Sequence, residues 1–450
     1  MLHKFIINKT RVVLDVHSGA VHRVDPVTWD ILKDYEKLPA SMLTEKLAAR
    51  YPRREVEEAL AEVEELAREG LLFSPDPLDG AYTPPNRKIV KALCLHLAHD
   101  CNLACRYCFA GQGKFGGTAG LMSLGVGKAA LDFLIDASGS RRHVEVDFFG
   151  GEPLLNKKVL YELVDYGRKR GTESGKEIKF TLTTNALLLD AETGKFLNDH
   201  NMSVVLSLDG RPEVHDAMRP FPGGAGSYQI IADKIMDFLE SRNHTNYYVR
   251  GTYTRHNTDF SRDVLHMAEL GIKEISVEPV VADPDEDYAL TEEQIPALFE
   301  EYERLTIALL ERTKAGHPFN FFHFNIDLEG GPCLPKRLSG CGAGNEYLAV
   351  DPEGNLYPCH QFVGQEEYLM GDIYAGIKNR EIATTFAGAH VYNKEGCAEC
   401  WAKFHCSGGC HASARAYSGS IFKPAPLSCA LMKKRLECAL YLKITADRND

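Results

Sequence analysis

The sequence has no apolar run that approaches the ~18 residues needed to span a bilayer. Its first residues also lack a basic segment followed by an apolar stretch, so no secretory signal is visible. Basic residues are fewer than acidic residues. There are 51 Lys and Arg against 63 Asp and Glu, and the net charge of −12 argues against a nucleic-acid-binding surface over the whole molecule. We therefore expect a cytoplasmic protein with no membrane and no nucleic-acid partner.

Cysteine, in contrast, is abundant, with 13 in a chain of 450 residues. Disulfides are rare in the cytoplasm, so this number indicates metal binding or catalysis. A hydrophobic content of 44% and a charged content of 25% are typical of a globular protein. The length favours about two or three domains.

Three of the cysteines are closely spaced, at positions Cys101, Cys105 and Cys108. Thiolates with C-x3-C-x2-C spacing can bind three irons of a four-iron, four-sulfur cluster, and this loop holds no fourth ligand. One iron would therefore stay open to a small molecule. A zinc site, with four ligands and C-x2-C spacing, fits this run poorly.

The run from Cys101 to Cys108 resembles the signature of the radical S-adenosylmethionine (SAM) superfamily. The resemblance implies that the open iron binds the amino and carboxylate groups of SAM. One electron then breaks the sulfonium C–S bond, and the resulting 5′-deoxyadenosyl radical takes a hydrogen atom from the substrate. The three cysteines would thus be catalytic as well as metal-binding. Tyr107 and Phe109 fit the family's aromatic wall near the adenine, or are plain packing residues.

The same resemblance extends to the ends of the strands that follow. The residues that would contact SAM are Gly150, Gly151, Glu152, Thr184, Asn185, Ser207, Asp209 and Arg219. Glycines permit close backbone approach to the ligand, and Arg219 would pair with the SAM carboxylate. Asp209 is equally consistent with a turn, and Arg219 with a solvated surface arginine.

Alternating strand and helix patterns predict the fold of the central region. Buried strands are expected near residues 92–97, 144–149, 178–182, 203–208, 247–252 and 274–278, and a long helix at about 292–315. Six such units indicate an α/β fold with a parallel sheet, and they fall short of a full (β/α)8 barrel. The radical SAM resemblance implies a partial (β/α)6, TIM-like barrel, which we assign to residues 89–320.

Residues 1–75 are expected to form a small α+β unit of three strands, three helices and a returning strand at 71–73. This order resembles the winged helix-turn-helix element with which peptide-modifying enzymes bind a leader peptide along a sheet edge. The expected peptide-binding residues are Val21, His22, Arg23 and Val24. A DNA-binding winged helix is the alternative, but the third helix carries seven glutamates, which would repel phosphate. A proline-rich linker follows at 76–88.

A second cysteine array lies in the C-terminal region, assigned to residues 321–450. Its spacing resembles the seven-cysteine SPASM pattern, which implies two auxiliary four-iron clusters and three clusters in all. Family interleaving assigns Cys341, Cys359 and Cys410 to the first auxiliary cluster, and Cys397, Cys400, Cys406 and Cys429 to the second. Either Cys333 closes the first cluster, or its open iron takes a thiolate from the substrate, which we favour. Cys94 and Cys438 are interpreted as ordinary core thiols.

Together these features resemble the SPASM peptide maturases, most of all the sactisynthase-type maturases of small cysteine-rich SCIFF precursor peptides. The resemblance implies a thioether between a cysteine sulfur and the α-carbon of another residue. It also implies a precursor bound through its leader and an external electron donor of the flavodoxin or ferredoxin type. His360 stands where sulfatase-maturing relatives carry aspartate, which disfavours that activity. A carbon–carbon crosslink, a β- or γ-thioether and a zinc-bound winged-helix regulator are further alternatives.

Overall fold

A computed structural model describes residues 1–76, 78, 82–84, 89–328 and 334–446. The possible ligand Cys333 lies outside the described residues, as does most of the predicted linker.

The N-terminal part begins with a three-stranded antiparallel sheet in the order β1-β2-β3. The strands are β1 (Leu2–Ile7), β2 (Thr10–Asp15) and β3 (Val21–Val24), and the helices that follow are α1 (Pro26–Asp34), α2 (Ala40–Leu47) and α3 (Arg53–Arg68). Asp25 caps α1 by accepting a hydrogen bond from the Thr28 amide, as the sequence predicts for an Asp-Pro start. The strand predicted at 71–73 is wrong: this segment is a bend, and the Leu71 carbonyl accepts a hydrogen bond from the His22 ring.

The central sheet confirms the six predicted parallel strands. They are β4 (Ala92–His99), β6 (His143–Gly150), β7 (Glu177–Thr184), β8 (Ser203–Ser207), β9 (Tyr247–Tyr253) and β10 (Glu274–Pro279), with the short strands β5 (Gly120–Leu121) beside β4 and β11 (Asn320–Phe321) beside β10. Neighbours in the sheet follow chain order, β4-β6-β7-β8-β9-β10, as successive strand–helix units require. The carboxyl ends of all six strands therefore lie along one edge.

Helices follow the central strands and cover the sheet. They are α4 (Leu124–Ala137), α5 (Lys157–Ser174), α6 (Ala191–Asp199), α7 (Pro212–Met218), α8 (Tyr228–Ser241), α9 (Phe260–Glu269) and α10 (Ile295–Lys314). A short 3-10 turn precedes α10 and carries the predicted capping box between Thr291 and Gln294.

The C-terminal part is joined to the central sheet. Its elements are α11 (Leu334–Ser339), β12 (Tyr347–Val350), β13 (Asn355–Tyr357), β14 (Gly371–Asp372), β15 (Gly376–Ile377), α12 (Arg380–Gly388), α13 (Lys403–Cys406), α14 (His411–Ser418) and α15 (Pro426–Ala446). Strand β12 pairs in parallel with β4, so these residues extend the sheet beyond its first strand. Helix α15 packs against α10, β1 and β3 and thereby connects the N-terminal sheet to the main core. Cys94 and Cys438 are fully buried.

None of the helices in the described ranges is long and apolar enough to cross a lipid bilayer.

Candidate functional site

A cleft opens at the carboxyl ends of the central strands, where parallel α/β sheets form their sites. It encloses about 1160 Å³ of space, part of it open to solvent. Most of the residues predicted to bind the cluster or SAM line this cleft: Cys101, Cys105, Cys108, Tyr107, Gly150, Gly151, Thr184, Asn185, Ser207 and Arg219. The fold thus brings together residues that the sequence spreads over more than one hundred positions.

The three-cysteine loop follows β4 and forms hydrogen bonds with the end of α7 and the residues just after it. The amides of Ala104 and Arg106 donate hydrogen bonds of 2.9 Å to the carbonyls of Pro220 and Met218. Burial raises the pKa of the Cys101 thiol to about 12, so this thiol is protonated unless a metal binds it. Sheltered thiols on one cleft wall are the donor set that iron of a cluster requires.

The glycine-rich segment at the end of β6 packs tightly on the start of the cysteine loop. The Gly151 amide donates a hydrogen bond of 2.8 Å to the Ala98 carbonyl. A Cβ atom on Gly150 would lie 2.3 Å from the Ala98 oxygen, and one on Gly151 would lie 2.1 Å from the Asp100 oxygen. Side chains are therefore excluded here, and the backbone itself forms the cleft surface.

Glu152 does not line the cleft. Its carboxylate is fully buried and accepts hydrogen bonds from the Thr184 hydroxyl at 2.8 Å and from the Asn185 amide at 2.8 Å. The Asn185 side chain in turn donates to the Asn102 side chain at 2.8 Å and lies 3.7 Å from the Cys101 sulfur. Glu152 therefore fixes the end of β7, and Asn185 ties that end to the cysteine loop.

Arg219, Tyr107 and Asp209 form a buried chain of hydrogen bonds. Arg219 Nη1 donates to the Tyr107 oxygen at 2.9 Å, and the Tyr107 hydroxyl donates to the Asp209 carboxylate. Asp209 is fully buried and lies beneath the cleft surface. Arg219 Nε is buried and has no hydrogen-bond partner within the described residues. A cationic group beside Cys105 with a free donor fits an anionic ligand such as a carboxylate.

Two further cleft residues, Arg250 on β9 and Glu278 on β10, were not selected from the sequence. Their side chains form an ion pair. Burial alone would raise the pKa of Glu278, but Arg250 and His323 lower it to about 2. The only signal in the sequence was a charged residue inside each buried strand, which a strand pattern by itself does not assign to a site.

Part of the cleft surface comes from the C-terminal part of the chain. His360 and Gln361 line the cleft directly after Cys359. The His360 ring contacts Phe149 and Phe109 with centroid distances of 4.9 and 5.7 Å, and a hydrogen bond of 3.0 Å joins His360 Nδ1 to the Tyr347 hydroxyl. The two residues that follow Cys359 and the residues predicted to bind SAM therefore line one cleft.

The structure separates the cysteines of the second array into two groups of neighbours. In the first group, burial raises the pKa of the Cys359 thiol, and the adjacent Cys410 and Cys341 thiols raise it further. In the second, burial raises the pKa of the Cys406 thiol to about 11, and its neighbours add to that rise. These neighbours are Cys429, Cys397 and Cys400. The grouping coincides with the interleaved assignment that the SPASM resemblance implies.

Neither group has the compact geometry of a zinc site. Across the described ranges, no three His, Cys, Asp or Glu side chains converge closely enough to hold a single metal ion. Zinc needs its sulfur ligands about 2.3 Å away, whereas cysteines around a four-iron cluster lie further apart because each binds a different iron.

The expected leader-binding residues lie far along the chain from this cleft, on β3. This strand pairs with β2 on one side and forms an edge of the N-terminal sheet. Arg23 is exposed, whereas Val21, His22 and Val24 are partly buried.

Comparison with known proteins agrees with the site. Residues 91–231 match the family model described as a 4Fe-4S single cluster domain. Mycofactocin maturase MftC of Mycolicibacterium smegmatis is 28% identical over 334 residues, which cover 71% of this chain and 78% of that protein. An uncharacterised protein of Methanocaldococcus jannaschii, MJ0907, is 29% identical over 188 residues, and the match covers 42% of this chain and under two thirds, 62%, of that protein.

Solved structures share the fold. The structure of anSMEcpe with bound AdoMet superposes with a TM-score of 0.68 at 20% identity, over 80% of this chain and 95% of that one. Streptococcus suis SuiB bound to its precursor peptide SuiA gives a TM-score of 0.52 at 14% identity, over 95% of this chain and 98% of that one. In sequence the chain is therefore similar to a mycofactocin maturase, and in fold to anSMEcpe and SuiB.

Proposed function

We propose that this chain is a radical SAM enzyme that joins a cysteine sulfur to the α-carbon of another residue in a ribosomally synthesised, cysteine-rich precursor peptide of the SCIFF type. The observation that carries the proposal is the composition of the cleft. The cleft is lined by Cys101, Cys105 and Cys108 and also by His360, the residue after Cys359. A peptide in this cleft would lie between a SAM site and a second cysteine site.

The residues present fit a cluster and SAM. Cys101, Cys105 and Cys108 would hold the cluster, while Arg219, which lines the same cleft, would hold the carboxylate of SAM. When bound, these groups supply a 5′-deoxyadenosyl radical that removes a hydrogen atom from the substrate. The chain's own task is to position the reactants and to exclude water. The apolar part of the cleft wall, formed by Phe149, Pro279, Val280 and Val281, suits that task.

Formation of a thioether requires a one-electron oxidation in addition to removal of the hydrogen atom. Joining a thiolate to a carbon radical releases one electron, which must pass to a redox centre. The neighbouring thiols Cys341, Cys359 and Cys410 suit a three-ligand cluster site that also binds the substrate thiolate. The other four cysteines suit a second centre that passes the electron on, with an external flavodoxin or ferredoxin as the donor for SAM cleavage.

Cys333 offers a direct test of the open site. Replacement of Cys333 by alanine should leave the iron content unchanged if the substrate thiolate fills the open position. Loss of about four irons would identify Cys333 as the fourth ligand and would contradict the substrate-thiolate model.

Residues 1–75 are proposed to bind the leader of the precursor. Among the described strands, β3 lies at the edge of the N-terminal sheet, a position that suits addition of a peptide strand, and the SuiB structure was solved with its precursor peptide SuiA. Arg23→Glu should weaken binding of the precursor without changing SAM cleavage in its absence. Arg54→Glu, an equal charge reversal on exposed α3, is the matched control. Equal weakening by both variants would mean that β3 has no specific role.

Mass spectrometry tests the reaction itself. Anaerobically reconstituted protein would be incubated with SAM, a reductant and a cysteine-rich precursor peptide encoded beside its gene. We expect a loss of two hydrogens per crosslink, and deuterium at the acceptor α-carbon should appear in 5′-deoxyadenosine. Deuterium transfer from a β- or γ-carbon instead would favour the corresponding alternative crosslink. Cys105→Ala should form neither 5′-deoxyadenosine nor crosslinked peptide.

A further inference from the structure

Lys394 is buried between the two groups of C-terminal cysteines. This residue is only 3% exposed to solvent. Nζ donates hydrogen bonds to the Gly408 carbonyl at 2.7 Å and to His411 Nδ1 at 3.3 Å. Gly408 lies between Cys406 of one group and Cys410 of the other, and His411 directly follows Cys410. The ammonium therefore lies where the two groups adjoin.

The surrounding backbone is shaped around this lysine. Residues 407–409 all have positive φ, which turns the chain so that the Gly408 carbonyl meets Nζ. A Cβ atom on Gly408 would lie 3.0 Å from Lys394 Cδ, so glycine is the residue that leaves room for the side chain. The lysine is thus part of the packing that holds the two cysteine groups together.

Among the described residues, Lys394 differs from most buried cations in its lack of a carboxylate partner. Within the described part of the chain, no Asp or Glu lies within ion-pair distance of Nζ. Burial lowers the pKa of Lys394, while four cysteines from both groups raise it: Cys397, Cys406, Cys410 and Cys341. An isolated buried ammonium is costly, whereas negatively charged metal–thiolate sites on both sides would balance it.

A second buried lysine shows the contrast. Lys403 is 4% exposed and lies between Cys400 and Cys406 in sequence, but its ammonium is 2.6 Å from the Asp76 carboxylate. Its charge is neutralised within the protein. Lys394, in contrast, is a buried cation whose field acts on the cysteine sites themselves.

We propose that Lys394 is a shared electrostatic regulator of the two auxiliary clusters, raising the reduction potential of both. The inference rests on the proposed function, because it requires that both cysteine groups hold clusters. Reduction adds one negative charge to a cluster, and a nearby buried ammonium stabilises that charge. One residue would then keep both centres able to accept the electron released during coupling.

Potentiometric titration followed by electron paramagnetic resonance tests this role on the reconstituted full chain. Titrations with and without SAM distinguish the signal of the cluster at Cys101, Cys105 and Cys108, which SAM should change, from the signals of the two auxiliary clusters. Lys394→Met should lower the equilibrium constant for reduction of both auxiliary clusters by about tenfold, a shift of about 59 mV for one electron. Lys394→Arg, which keeps the charge, should stay near the wild-type potentials. Lys394→Gln repeats the test with a polar side chain if the Met variant does not hold its iron.

Lys433→Met is the matched control. Lys433 is partly exposed and influences Cys397 and Cys429 of the second group. It should shift the second auxiliary cluster slightly and the first one not at all. If wild-type protein holds both auxiliary clusters and Lys394→Met moves neither potential, or only one, the shared role of Lys394 is refuted while the proposed function stands. If wild-type protein assembles no auxiliary clusters, both proposals fail.

Discussion

Arg219 donates a hydrogen bond of 2.9 Å from Nη1 to the phenolic oxygen of Tyr107, the residue between the second and third cysteines of the loop. The Tyr107 hydroxyl donates a hydrogen bond to the buried carboxylate of Asp209, and this chain of contacts fixes the orientation of the guanidinium. Its Nε remains without a partner among the described residues. A guanidinium held in one orientation on the cleft surface beside the cysteine loop is suited to bind a carboxylate.

Arg219→Met should therefore weaken SAM binding by about 10- to 100-fold, the effect of one lost charge-assisted contact of about 1.5–3 kcal/mol. Calorimetric titration of SAM into reconstituted protein measures it. Arg211 is the matched control, because it is similarly buried and ion-paired with Asp259 and Asp263 but does not line the cleft. Arg211→Met should reduce stability and leave SAM affinity near that of the wild type. Equal affinity losses in both variants would contradict a direct role for Arg219.

Arg250→Met should separate peptide modification from SAM cleavage. The variant leaves the Glu278 carboxylate without its ion-pair partner on the part of the cleft formed by β9 and β10. We expect crosslinked peptide to fall by about tenfold or more, as for loss of a charged contact, while 5′-deoxyadenosine still forms. Both products can be quantified in one reaction by liquid chromatography and mass spectrometry. Arg262→Met, which removes an exposed ion pair with Asp259, should change neither product.

Single cysteine replacements should remove clusters one at a time. Cys410→Ala and Cys429→Ala change different cysteine groups, and each should lower the iron content by about four per chain because one cluster is lost. Cys438→Ala is the control on the same helix as Cys429, since its thiol is fully buried among core residues. That variant should keep all its iron. An unchanged iron count in either of the first two variants would refute the grouping.

Asp147 on β6 should make stability depend on pH. Burial raises the pKa of its carboxyl from 3.8 to about 7. Between these values the folded chain binds a proton that the unfolded chain has released, so folding is stabilised at low pH and this stabilisation is lost as the pH rises towards 7. From about pH 5.5 to about pH 8, the wild type should lose about 2 kcal/mol that Asp147→Asn retains. Urea unfolding of both proteins at both pH values measures this loss of unfolding free energy. The same change with pH in the wild type and in the variant would contradict the shifted pKa.

Much of the local structure was predictable from the sequence. The six central strands follow short segments rich in β-branched and aromatic residues, several of which alternate apolar with polar positions, and the capping box of Thr291 and Gln294 is a contact between neighbours in the chain. The segment at 71–73 shows the limit of such patterns. Its apolar residues suggested a strand, but a strand needs a partner, and here the Leu71 carbonyl is bonded to the His22 side chain instead.

The cleft was predictable in part. Cys101, Cys105 and Cys108 are close because their spacing is short, and Gly150 and Gly151 follow from a recognisable motif. Arg250 and Glu278 were missed because nothing local separates a charged residue that enters a cleft from one that faces solvent. Glu152 and Asp209 show the opposite case. Both were predicted from the motifs to contact SAM, yet their carboxylates are buried beneath the cleft and form hydrogen bonds that hold its walls together.

The order of amino acids alone thus determined where strands and helices form and which thiols stand within a few residues of each other, because both depend on short-range geometry. Tertiary structure decided which distant cysteines become neighbours, that β12 continues the sheet beside β4, and that an unbalanced ammonium at Lys394 lies between two cysteine groups. These relations join residues far apart in the chain. They arise only when burial of apolar surface and pairing of backbone groups are satisfied for the whole molecule at once.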